Sequence, residues 1–326
     1  MAKHILITGA SGFVGQELAA ALLDSSPDVH LTLTDVAAPK TPAGATDPSR
    51  ITSTQTDLTD PAAARSLLDT QKWTAIYTLH GIMSSGAEAD FALGYRVNLD
   101  AHRHLYDHLI ATQPGATVVF TSSTAVYGPP STAGGPDHVF SERTLPQPQS
   151  SYGTQKFVVE CLLNDYARRG LLDARVVRLP TVMVRPGAPT AAASSFASGI
   201  VREPLNGARA VLPVDRRLRM WVCSPRTVVR NLVAVKDVAA ARFGPLSRTV
   251  NLPGVTVRIA DVLDALEQVG GRDARALVEE KVDPVIEKIV LSWPERFDIE
   301  RALGLGLEED GTLIETVKAY ADSLKK

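Results

Sequence analysis

Cysteine is nearly absent from this 326-residue chain, which has only Cys161 and Cys223 and no CxxC pair. That excludes a disulfide framework and a thiolate metal cluster, and it favours a reduced, cytoplasmic setting. An excess of positive charge is also missing. The 34 basic residues face 36 acidic ones, a formal net charge of -2. Neither nucleic acid nor an anionic membrane surface is therefore expected as a partner. Long apolar runs are lacking, so no membrane span is expected. The N-terminal stretch MAKHILITGASG has neither a long apolar segment nor a small-residue cleavage site, so it does not read as a signal peptide. Repeats are absent, and the low-complexity stretches are limited to polar loops at 37–50 and 129–150.

The chain does have ample material for a core, with 44% hydrophobic residues. In the first half, short β-branched runs alternate with segments of helical spacing. HILIT (4–8), HLTLTD (30–35), AIYTLH (75–80), ATVVFTSS (116–123) and ARVVRLPT (174–181) read as strands. Residues 13–25, 62–70, 96–112 and 153–170 read as helices, with Gly170 placed to stop the last. This alternation predicts an α/β fold, a doubly wound parallel sheet with helices on both faces. After Pro180 the pattern loosens, and five further prolines punctuate the stretch to 225. Helical periodicity returns at 226–243, 258–269 and 312–325, and RTVNLPG (248–254) reads as one more strand. The expected organisation is a dinucleotide-binding region at 1–180, with 226–254 returning to it. A smaller, interleaved substrate region would comprise 181–225 and 255–326.

TGASGFVG (8–15) follows the first strand and opens the first helix. Gly9 permits a tight turn, Gly12 lets the backbone approach a pyrophosphate, and Gly15 allows close helix packing. The helix N-terminus adds N–H groups and partial positive charge. Asp35, at the end of the next strand, is placed to bind a ribose diol, which favours NAD over NADP. Asp57 could reach the adenine or could cap the turn after Thr59.

SSYGTQKF (150–157) places Tyr152 and Lys156 one turn apart on a helix face. A free tyrosine, with a pKa of about 10, is a poor base at neutral pH. Two nearby cations, Lys156 and an oxidised nicotinamide, would favour its phenolate. A shift of ~3 units requires about 4 kcal/mol.

The GxxGxxG spacing, VNLD (97–100), FTSSTAVYG (120–128), YGTQK (152–156), RLPTVMVRPG (178–187) and RMWVCSPRTVV (219–229) together resemble the extended branch of the short-chain dehydrogenase/reductase superfamily. The resemblance covers essentially the whole chain. It implies a Rossmann-type fold and an NAD site formed by Gly9, Gly12, Phe13, Val14, Gly15 and Asp35, with Asp57, Leu58, Leu79, Tyr152, Lys156 and Pro180. It further implies Tyr152 as the base, Lys156 on the nicotinamide ribose, and Ser123 on the substrate oxygen. Ser122 and Thr124 are rivals for that last role, one register step away. Asn98 would position Lys156 through water. A homodimer through helices 96–112 and 153–170 is also implied. No metal is expected.

Within this branch, TLHGIMSSGAEADFALGYRVN (78–98), RPGAPTAAASSFASGIVREPLNG (185–207) and PVDRRLRMWVCSP (213–225) resemble the D-erythronate dehydrogenases. That implies oxidation of the C2 hydroxyl of a small sugar acid. Such a substrate needs a guanidinium fork for its carboxylate, for which Arg185 and Arg219 are candidates, and Ser84 is a candidate for another oxygen. GIM after His80 departs from the usual small residues, and Met83 either narrows the pocket or fills core. Two other readings stand beside this one: a nucleotide-sugar epimerase that retains its NAD, and a non-catalytic dinucleotide sensor. His102, His104 and His108 read as a solvated helix face rather than a metal site, and Cys161 reads as core.

Overall fold

The computed structural model describes residues 2–135, 137–189, 192–245 and 247–325. Twelve strands follow in order: β1 Lys3–Thr8, β2 Val29–Asp35, β3 Ile51–Gln55, β4 Ala75–Thr78, β5 Thr117–Ser123, β6 Asp173–Leu179, β7 Thr181–Val182, β8 Ala210–Leu212, β9 Arg219–Cys223, β10 Thr249–Asn251, β11 Val255–Arg258 and β12 Val278–Glu280. Seven form one sheet in the order β10-β6-β5-β4-β1-β2-β3. Every pairing in that sheet is parallel. Ile5, Leu6 and Ile7 are wholly buried. A central parallel strand covered on both faces requires such a continuous apolar run. The strand order reverses between β1 and β4, and in such sheets ligands bind in the crevice at the carboxyl ends of the strands there. The loops after β1, β4 and β5 all open at that edge.

Helix Phe13–Ser25 packs with helix Pro225–Val235 on one face of the sheet, and Val228, Leu232, Val250, Ala302 and Leu305 share that core. The opposite face is closed by helices Pro61–Leu68, Ala101–Thr112 and Ser151–Arg168. The second half has its own core around β9, β11 and helices Ser195–Leu205 and Ile259–Ala276. A small three-stranded sheet, β11-β9-β7, joins it to the end of β6.

Three of the differences from the sequence reading concern the cleft or residues already named. The helix expected over 96–112 begins with a π turn at Arg96–Asp100, preceded by short helices Ser84–Ala89 and Phe91–Tyr95. The inserted residue rotates everything after it, so His102 points inward. It is fully buried and stacks on His80 at 3.8 Å, correcting the solvated-face reading for that residue. Cys161 is exposed rather than core, because the buried stripe of its helix runs through Lys156, Val159, Glu160 and Leu163. Helix Ser195–Leu205, rich in small residues and containing Pro204, was not legible as a helix. Among the described residues no helix is long and apolar enough to cross a membrane.

Candidate active site

The glycine turn is built by close backbone approach. Gly9 takes φ +68°, and a Cβ there would lie 2.6 Å from the His80 nitrogen. At Gly15 a Cβ would lie 2.8 Å from Ala10 Cα and from the Gly9 carbonyl oxygen. Gly12 is exposed and opens the helix N-terminus to the crevice. The Asp35 carboxylate accepts the Ser11 N–H at 3.0 Å and the Val36 N–H at 2.8 Å, which fixes it beside the turn with lone pairs to spare.

These residues form one end of a cleft of about 1670 Å³. Gly9, Gly12, Phe13, Val14, Gly15 and Asp35 line it, followed by Asp57, Leu58 and Leu79. Asp57 also accepts from the Thr59 N–H and hydroxyl, and the hydroxyl's hydrogen bond is the main reason its carboxyl titrates low. The cap of helix Pro61–Leu68 is Asp60 instead. The donor set at this end fits a dinucleotide. Bare backbone and a helix N-terminus face the place for a diphosphate, and a carboxylate stands where a ribose diol would lie.

The same cleft is lined by Ser84, Ser123, Tyr152, Lys156, Pro180, Arg185 and Arg219. Asn98 is the one predicted site residue outside its lining. The three rival hydroxyls at the end of β5 separate by direction. Ser122 is buried and turned away, donating to the Glu160 carboxylate that Arg178 also grips. Ser123 accepts the Ala125 N–H at 3.1 Å and lies beside the Tyr152 hydroxyl. Among the described residues the Thr124 hydroxyl reaches only the Leu179 carbonyl, at 3.4 Å.

Burial pushes Tyr152 up to about 12, with the Ser123 hydroxyl pulling the other way. Burial also lowers Lys156 to about 8, opposed by Glu160. Lys156 Nζ donates to the Thr121 carbonyl at 2.9 Å and lies 5.7 Å from the centre of the Tyr152 ring. In the chain alone, desolvation of the phenol therefore outweighs the Ser123 hydrogen bond.

Asn98 is fully buried and does not bond Lys156 directly. Its Oδ1 accepts the Ile82 N–H at 2.8 Å, and its Nδ2 donates to the Ile82 carbonyl and to Gln155. It thus ties the loop after β4 to the tyrosine helix. Met83 in that loop is exposed and lines the cleft, so it narrows the pocket rather than filling core.

The two arginine candidates have different surroundings. Arg219 is exposed and lies 3.8 Å from Glu295. Arg185 is half-buried, and no acceptor for its guanidinium exists among the described residues. Burial first, and the neighbouring Arg202 second, lower its pKa. Sequence reasoning missed Arg202 and Lys288, which also line the cleft. The spacing of Phe196, Ile200 and Val201, all buried, was the faint signal available for the helix that carries Arg202.

Known proteins resemble the chain over nearly its full length. The chain is 44% identical to the D-erythronate dehydrogenase of Cupriavidus necator over 331 residues, covering 98% of both chains. It is 39% identical to that of Haemophilus influenzae over 323 residues, again covering 98% of each. A crystal structure described as the nucleoside-diphosphate-sugar epimerase from Agrobacterium tumefaciens superposes with a TM-score of 0.89 at 36% identity, over 98% of this chain and 94% of that one. The sequence profile of the NAD dependent epimerase/dehydratase family matches residues 5–251, and the chain belongs to that family.

Proposed function

We propose that this NAD-dependent dehydrogenase oxidises the C2 hydroxyl of a small sugar acid, D-erythronate or a close relative, to the 2-keto acid. One juxtaposition carries the reading. Ser123, Tyr152 and Lys156 share a cleft with Arg185, a half-buried guanidinium without an acceptor among the described residues. A carboxylate satisfies such a cation with two charge-assisted hydrogen bonds, and a substrate so held presents its adjacent hydroxyl in a fixed direction. The full-length similarity to two D-erythronate dehydrogenases supports the same choice.

NAD, when bound, accepts the hydride and brings the positive charge of an oxidised nicotinamide. Gly9, Gly12 and Gly15 would hold its diphosphate through the backbone, and Asp35 would accept its ribose hydroxyls. Tyr152 takes the proton of the substrate hydroxyl, and Ser123 holds that oxygen. With the phenol raised to about 12 in the chain alone, proton removal depends on positive charge gathered in the cleft. Lys156 contributes its share while it is cationic, and that contribution fades above about pH 8. Asn98 acts at one remove, by holding the loop after β4 against the tyrosine helix.

The test is NADH absorbance with purified protein, NAD and a panel of C4 to C6 sugar acids beside UDP- and GDP-sugars. NADH is expected with D-erythronate or a close stereoisomer. Interconversion of a nucleotide sugar without net NADH would replace this reading with the epimerase one, which the name of the Agrobacterium structure keeps in play.

A further inference from the structure

The Arg185 peptide is held on both sides by one helix. Ser198 and Arg202 lie four residues apart on helix Ser195–Leu205, and so one turn apart on the same face. Ser198 Oγ accepts the Arg185 N–H at 3.1 Å, and Arg202 Nη1 donates to the Arg185 carbonyl at 3.0 Å. Both jaws are buried, with Ser198 1% and Arg202 5% exposed. Arg202 is held in turn by Glu203 at 2.6 Å. Arg185 and Arg202 against Glu203 leave one unbalanced positive charge in a partly desolvated wall, the charge that a single carboxylate neutralises. A long arginine side chain costs entropy to order, and fixing its backbone in advance lowers that cost when the anion arrives. Arg219 differs in its side chain: its main chain pairs in the β9–β11 ladder, but the guanidinium stands exposed beside Glu295.

We infer that helix Ser195–Leu205 is the carboxylate-selecting element of the site. Ser198 and Arg202 clamp the main chain of Arg185 and aim its guanidinium at the substrate carboxylate, with Arg202 acting as a positioning residue. The inference rests on the proposed reading of Arg185. It adds that selectivity for an acid over an uncharged analogue is set by a residue that need not touch the substrate.

The experiment compares KM for D-erythronate with the inhibition constant of its uncharged amide, in wild type and in Arg202→Met, Ser198→Ala and Arg185→Met. NAD affinity serves as the check that each variant is folded. Arg202→Met is expected to raise KM for the acid about tenfold while changing amide binding and kcat much less, so the preference for the acid shrinks. Ser198→Ala should shift the same ratio about threefold, and it carries the test if Arg202→Met does not fold. Equal weakening of acid and amide in these variants, or an unchanged ratio, would overturn the clamp. If Arg185→Met collapses the preference while the clamp variants keep it, the inference alone fails. A preference retained in Arg185→Met would sink the carboxylate reading itself.

Discussion

At the dinucleotide end of the cleft the decisive features are main chain: Gly9 pressed against His80, Gly15 against Ala10, and a helix N-terminus left open. At the other end they are side chains, Arg185, Arg202 and Lys288, carried on segments between and beyond the regular strands. On the proposed reading the first end would meet a diphosphate, which backbone can recognise, and the second would tell one small polar molecule from another, for which only side chains differ enough. The two ends should therefore break differently: the first by adding atoms to the chain, the second by removing charge from it.

The sharpest break lies where the ends meet. Tyr152→Phe deletes one oxygen from the shared floor, and kcat should fall on the order of 10³-fold with NAD affinity nearly unchanged. Turnover within tenfold of wild type would remove Tyr152 as the base. Gly9→Ala tests the backbone end. The φ of +68° costs a side chain about 1–3 kcal/mol, and the approach to His80 adds to it. Lower stability in denaturant titration and weakened NAD binding are expected together, and an unaltered protein would show that the turn is not tight. Asp35→Ala is gentler. Losing the carboxylate should relax the preference for NAD over NADP by about tenfold, about 1.4 kcal/mol, and an unchanged ratio would mean that Asp35 does not read the ribose.

The most gradual effect expected is a slope with pH. His80 is buried and held neutral, lowered by burial and by Lys156 to about 3, and its stacked partner His102 is also lowered, chiefly by burial. The unfolded chain binds protons near pH 6.5 that the folded chain refuses, so stability is full above that pH and is lost as pH falls toward 3. For His80 this amounts to on the order of 2 kcal/mol between pH 6.5 and 5. His80→Gln should flatten that limb in denaturant titrations, whereas an unchanged acid slope would place His80 in contact with water.

What could be read from the sequence follows the same division. Six of the seven strands of the main sheet and the glycine turn were legible because local spacing and backbone geometry specify them. The seventh, β3, is a short polar edge strand whose residues are at most half-buried, so it carries little apolar signal. Tyr152, Lys156 and Asp35 were legible because they sit at fixed offsets from those elements. Arg202 was hidden because alanines, serines and Pro204 obscure the period of its helix. His102 was misjudged for a different reason: the π turn at Arg96–Asp100 shifts the face by a residue, which a straight helical projection cannot foresee. Asn98 reaches its neighbours through Ile82 and Gln155, a route that needs coordinates.

The way the main sheet is completed decides how the chain can be divided. β10 arrives from beyond residue 240 to pair with β6, through Thr249, Val250 and Asn251. Ending the chain after β6 would strip that edge of its cover, and with it the helix Pro225–Val235 that closes one face. Bare amides and carbonyls beside exposed valines make a template for other chains to join. Expressed alone, the dinucleotide-binding half should aggregate rather than survive as a portable cofactor module. The intact protein avoids this by finishing its first sheet late in the chain.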